Sequence, residues 1–163
     1  MRVAVLIGSD SDYEVVQEAI KIFQEFKVEF ALEVTSAHRS PERTVRLVKD
    51  FEQKGAEVFI AVAGKAAHLA GAVASQTDRP VIGVPVENFE LGGLDALLST
   101  VQMPKGVPVA TMGLGKSGAA NAAFLVVQIL ALKDSGLKKK FKAYKKKLAA
   151  QVEKKSQKVK KNL

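Results

Sequence analysis

The sequence predicts a doubly wound parallel α/β sheet of five strands in one domain. Two observations carry that expectation. Five apolar runs alternate with five helical patterns through short connections, and several of the runs are near-continuous Val, Ile, Ala and Leu. Strands buried on both faces by crossover helices have that composition, and strict alternation of strand and helix is the pattern of a parallel sheet. A length of 163 residues suits one such domain and is enough to bury a core.

The strand candidates are Arg2–Ile7, Glu29–Thr35, Glu57–Ala63, Pro80–Val86 and Val107–Met112. The first follows directly on the N-terminal Met in MRVAVLIGSD, a run too short for a signal peptide and lacking a cleavage site. Between the strands, the helical patterns are Tyr13–Phe26, Pro41–Lys54, Ala66–Gln76, Leu94–Val101 and Gly118–Leu132. Asp12 is placed to cap the first helix. Ser40 followed by Pro41 opens the second, and Gly55 closes it. The fifth pattern, GAANAAFLVVQILAL, is apolar almost all the way round, with only Asn121 and Gln128 polar. A surface helix shows a polar face, so this one is expected to be covered on all sides, in a homo-oligomer.

Charge and composition narrow the function. The chain has no cysteine, which removes thiolate chemistry and disulfides and weakens any zinc site, and it is compatible with the cytoplasm. No apolar run reaches the ~18 residues of a membrane span. The net charge of +8 is uneven: 13 lysines face only Asp134 and Glu153 from residue 133 onward, so the first 132 residues carry −3. Residues 1–132 therefore form the body, and 133–163 a lysine-rich helical tail extending from it. The tail has one aromatic pair, Phe141 and Tyr144, and no nucleic-acid motif, which favours a solvated helix over a nucleic-acid partner.

Ligands of open α/β sheets bind outside the carboxyl ends of the strands. Those ends carry unusual chemistry here. Gly8-Ser9-Asp10-Ser11-Asp12 follows the first strand, Ser36-Ala37-His38-Arg39-Ser40-Pro41 the second, and Gly64-Lys65-Ala66-Ala67-His68-Leu69 the third. Backbone N–H groups at a helix start attract an anion such as phosphate, with Ser9 and Ser11 as added donors, while Asp12 suits ribose hydroxyls. Arg39 offers a planar fork to phosphate or carboxylate, and His38 exchanges protons near neutral pH. His68 reads equally as a packed or a functional histidine. Near the end, Gly113-Leu114-Gly115-Lys116-Ser117-Gly118 matches GxGxxG and nearly matches a phosphate loop. Position 110 is Ala, and no later strand exists for an acidic partner, so a tight turn is the better account.

With these blocks lined up, the chain resembles the class I N5-carboxyaminoimidazole ribonucleotide mutases of de novo purine biosynthesis, in the phosphoribosylaminoimidazole carboxylase catalytic subunit family. The resemblance runs from residue 2 to about residue 132 through GSDSD (8–12), SAHRSP (36–41), AGKAAHL (63–69), RPVIGVPV (79–86) and GLDALLSTVQMPKGVPVAT (93–111). It implies a flavodoxin-like three-layer sandwich in an octamer, with no metal and no organic cofactor. It places the family's substrate-binding serine and aspartate on Ser9 and Asp12, and its catalytic histidine and neighbouring arginine on His38 and Arg39. Ser11, Ser36, Gly64, Lys65, His68 and Leu69 complete the expected substrate contacts. The implied reaction moves the carboxyl group of a carbamate nucleotide to ring carbon C4, with His38 carrying the proton. Two positions depart from the pattern: Lys65, where the family usually has glycine, and Ala70, where it usually has proline. A basic third-turn residue resembles the direct carboxylases, whose second turn reads SAHK; this chain keeps SAHR. Direct carboxylation of aminoimidazole ribonucleotide with CO2 is the alternative, and a non-catalytic nucleotide-binding domain a fainter one.

Overall fold

The computed structural model describes residues 1–161 and contains the five-stranded parallel sheet, in the order β2-β1-β3-β4-β5. The strands are β1 (Val3–Ile7), β2 (Phe30–Val34), β3 (Val58–Gly64), β4 (Val81–Val86) and β5 (Ala110–Thr111). The helices are α1 (Tyr13–Phe26), α2 (Pro41–Gln53), α3 (Leu69–Ala74), α4 (Leu94–Val101), α5 (Gly115–Ala131) and α6 (Ser135–Lys160). The chain divides into two compact units, Met1–Val126 and a second beginning at Val127. The sheet lies wholly in the first. In the second, α6 is capped by the Asp134 carboxylate, which accepts from the N–H of Leu137. Among the described residues no helix is long and apolar enough to cross a membrane.

The strand residues sort by parity onto two buried faces. Ala4, Leu6, Phe59 and Ala61 share one cluster with Leu47, Val48 and Phe51 of α2 and Leu69, Ala70 and Val73 of α3. Gly83, in register with Ala61, faces the same way, and α4 covers it. A Cβ on Gly83 would come within 2.3 Å of Thr100 Cγ2, so α4 approaches the sheet only because that position has no side chain. On the opposite face Phe30, in register with Val3, packs against Phe23 of α1, and Phe26 meets Phe124 of α5 edge-on. Helices on both faces make the sheet doubly wound. Each fully buried side chain of this kind contributes roughly 1.5–3 kcal/mol, and β1 is buried along its whole length.

Three element boundaries shift by more than two residues. The third helix is not Ala66–Gln76 but Leu69–Ala74, because Lys65 takes a left-handed φ of 57° and breaks the chain direction before helix can start. The fifth strand shrinks from 107–112 to two residues: Gly106 has φ 96°, and Pro108 has no N–H to give the ladder. The last body helix begins at Gly115, inside the glycine-rich segment, which is a turn as expected. A Cβ at Gly118 would lie 1.7 Å from the Gly113 carbonyl oxygen, so the turn packs directly on the helix start. That helix is not covered on all sides in the single chain: Asn121 and Gln128 are exposed, and Leu132 just beyond it is 85% exposed.

The caps also differ. Gly55, with φ 91°, ends the second helix as its position predicts. Asp12 does not cap α1. It completes a capping box around a single 3₁₀ turn, Asp10–Asp12, in which Ser9 is the N-cap. Ser40 makes no side-chain cap to α2, because its hydroxyl turns back to the Ser36 carbonyl at 3.2 Å.

Candidate active site

Because β1 lies between β2 and β3, the turns after these three strands converge, at the switch point where strand order reverses. They surround a cavity of about 740 Å³, lined by Ser9, Ser11, Asp12, Ser36, His38, Arg39, Gly64, Lys65, His68 and Leu69 among others. Every candidate site residue from the sequence therefore borders one space. A volume of this order accommodates a nucleotide.

The first turn supplies a carboxylate. Asp12 is 6% exposed and its Oδ2 accepts from the Ser9 N–H at 3.0 Å. Burial pushes its carboxyl above the usual aspartate range; backbone N–H groups of Ser9 and Gly8 oppose the shift, and the Asp10 charge adds to it. The Ser9 hydroxyl donates to Asp10 Oδ1 at 3.0 Å, so a ligand at this turn meets Ser9 already oriented.

The second turn separates two arginines that look alike in sequence. Arg39 points across the strand ends, its Nη2 donating to the Gly8 carbonyl at 3.3 Å and its backbone N–H to Ser36 Oγ at 3.2 Å. Arg43 instead pairs with Glu33 at 2.8 Å and with the Val34 carbonyl at 3.2 Å, tying α2 to β2. Only Arg39 lines the cavity.

The third turn brings the second histidine to the first. His38 Nε2 lies 2.7 Å from His68 Nδ1, with the ring planes 81° apart. A contact that short needs one nitrogen to donate and the other to accept, so the pair holds one proton between two bases. The shortening of α3 makes this possible: residues 65–68 stay outside the helix, and His68 becomes its N-cap residue. The fourth strand adds Glu87 and Asn88, which sequence reasoning missed. Asn88 donates to both Asp95 oxygens, at 2.8 and 2.9 Å, and accepts from the Leu91 N–H, so it staples the lip of the cavity. The strand-end rule that singled out the first three turns would have found both, applied once more after β4. Among the described residues no group of three His, Cys, Asp or Glu side chains is arranged to hold a metal ion.

The model of the AIR carboxylase family matches residues 2–151. The chain belongs to that family. Among similar family members, the N5-carboxyaminoimidazole ribonucleotide mutase of Methanocaldococcus jannaschii is 49% identical over 97% of this chain and 97% of its own length. The protein of the same name from Pyrococcus abyssi is 50% identical over 88% of this chain and 81% of its own. That from Escherichia coli is 47% identical over 89% and 86%. Among solved structures, the crystal structure of Treponema denticola PurE has a TM-score of 0.87 and 27% identity, covering 96% of both chains. For an AIR carboxylase family member, the cavity lies where the motif blocks converge.

Proposed function

We propose that this chain is an isomerase of de novo purine biosynthesis that converts N5-carboxyaminoimidazole ribonucleotide to 4-carboxy-5-aminoimidazole ribonucleotide. The observation that carries the reading is the His38–His68 contact of 2.7 Å within a cavity that also offers Arg39, Ser9 and Asp12. Arg39 and the Ser9 turn hold the phosphate, and Asp12 the ribose hydroxyls. The carbamate N–C bond breaks, CO2 leaves, and the exocyclic nitrogen takes up a proton. Ring carbon C4 then attacks CO2, and the C4 proton is lost as aromaticity returns. One proton is consumed and one released, so a single base that gives and takes it closes the cycle. His38 is that base, and His68 steadies whichever ring nitrogen is bare. Holding CO2 beside C4 supplies proximity, worth up to roughly 7–11 kcal/mol. No metal or organic cofactor enters these steps, and the phosphorylated substrate fits a cytoplasmic enzyme.

Lys65 favours a second reading, direct carboxylation of aminoimidazole ribonucleotide. It lines the cavity and is held in a left-handed backbone that glycine adopts freely and lysine only at about 1–2 kcal/mol. A cation there could stabilise a carboxylate in either reaction. The two are separated by comparing turnover of the carbamate nucleotide with that of the unmodified nucleotide plus bicarbonate. The carbamate is expected to be much the better substrate, and Lys65→Gly to keep that preference while raising the thermal midpoint. A wild-type preference for bicarbonate that disappears in Lys65→Gly would reverse the assignment.

The proposal includes a homo-octamer. Residues 117–132 carry no charge, and Leu132 is 85% exposed. A second apolar row, Leu94, Leu98 and Val101, lies open on α4, and Phe89 is fully exposed. Surface of this kind marks an interface between chains. Light scattering at micromolar concentration is expected to give the mass of an eight-chain assembly, and a stable 17.5 kDa species would overturn it.

A further inference from the structure

Two threonines are buried directly beneath the turn that carries His38 and Arg39. Thr35, at the end of β2, and Thr44, in the first turn of α2, are each 2% exposed. Their hydroxyl oxygens lie 2.9 Å apart, and Ser40 Oγ is 3.4 Å from that of Thr35. Three further contacts define the direction of the chain. Thr44 Oγ1 donates to the Ser40 carbonyl at 3.3 Å, and Ser40 Oγ donates to the Ser36 carbonyl at 3.2 Å. Ser40 Oγ also accepts from the Ser36 N–H at 3.1 Å. Each hydroxyl has one proton. With those of Thr44 and Ser40 committed to carbonyls, the proton between the threonines belongs to Thr35. The result is a one-way chain, Thr35 to Thr44 to the Ser40 carbonyl, closed by Ser40 onto Ser36.

We propose that the Thr35–Thr44–Ser40 hydroxyl chain is a latch that positions His38 for proton transfer by clamping both ends of the 36–40 turn. The Ser40 N–H donates to the Ser36 carbonyl at 2.9 Å, and the hydroxyl chain ties that closed loop to the strand and the helix. His38 itself is exposed, so burial does not hold its ring. Its aim at His68 depends on the backbone beneath it. Valine would fill each threonine site at similar volume, and a pair of apolar groups replacing a hydrogen-bonded pair is close to neutral for stability. Polar groups in a buried position therefore act on geometry, where a displacement of about 1 Å costs on the order of 10²-fold in rate. Thr35 and Thr44 are positioning residues; neither lines the cavity.

This latch rests on the proposed role of His38, and the test keeps the two apart. Thr44→Val, Thr44→Ser, the double variant Thr35→Val/Thr44→Val and His38→Asn are compared with wild type on the carbamate nucleotide, well below their melting temperatures. The double variant leaves no hydroxyl stranded and covers the case in which Thr44→Val alone does not fold. Expected for both valine variants is a fall in kcat of roughly 10- to 100-fold with KM changed less than about threefold, and recovery in Thr44→Ser. A merely structural role would lower the melting temperature and leave kcat intact. Wild-type kcat in the folded valine variants, with His38→Asn inactive, overturns the latch alone. A near-normal rate in His38→Asn overturns the His38 role on which it rests.

Discussion

His38→Asn is expected to retain nucleotide binding and to lose turnover by at least about 10²–10⁴-fold, the range of general acid–base catalysis. The separation of the two effects follows from the geometry. The anchors for phosphate and ribose, Ser9, Asp12 and Arg39, lie on other atoms of the cavity wall and keep their own partners when the imidazole is removed. Asparagine keeps a polar group of similar reach and has no basic nitrogen. The proton released at C4 then has no acceptor, and the nitrogen that loses CO2 has no donor. Steady-state rates on the carbamate nucleotide, with calorimetric titration of the product nucleotide, measure both quantities. A variant within a few-fold of the wild-type rate would remove His38 from the mechanism.

Arg39→Ala should act on the other quantity. Among the described residues its guanidinium is the one arginine fork bordering the cavity, and it is held by the Gly8 carbonyl and the Ser36 hydroxyl. Those partners are neutral acceptors, which leaves the positive charge free to meet an anion. A charge-assisted contact of this kind is worth about 1.5–3 kcal/mol, so the nucleotide dissociation constant is expected to rise about 10- to 100-fold. The effect should shrink for a nucleoside lacking the phosphate. An unchanged dissociation constant would show that Arg39 contacts no substrate group. Arg43→Ala is the natural comparison: its pair with Glu33 holds α2 to β2 outside the cavity, and nucleotide affinity should not follow it.

Most of the sheet was legible because its signals are local. The helices Tyr13–Phe26 and Leu94–Val101 match their patterns to the residue, since apolar spacing and the preceding turn chemistry both lie within a few positions of each helix start. Gly55 ended its helix for the same reason. The misreadings arose where a distant or backbone constraint prevailed. Lys65 in a left-handed conformation delayed α3, and Gly106 with Pro108 cut β5 to two residues. The chemistry divides in the same way. Sequence by itself identified three strand-end turns with a histidine, an arginine and a carboxylate, because strand ends can be read from hydrophobic runs. It did not show the buried Thr35–Thr44 contact, and the strand-end rule was not applied after β4, where Glu87 and Asn88 lie. Nor did it join His38 to His68, 30 residues apart. That last contact depends on strand order, and no local pattern specifies that β1 lies between β2 and β3. Sheet assembly alone brings the second and third turns to opposite sides of the first, and so turns two isolated histidines into one proton-holding pair.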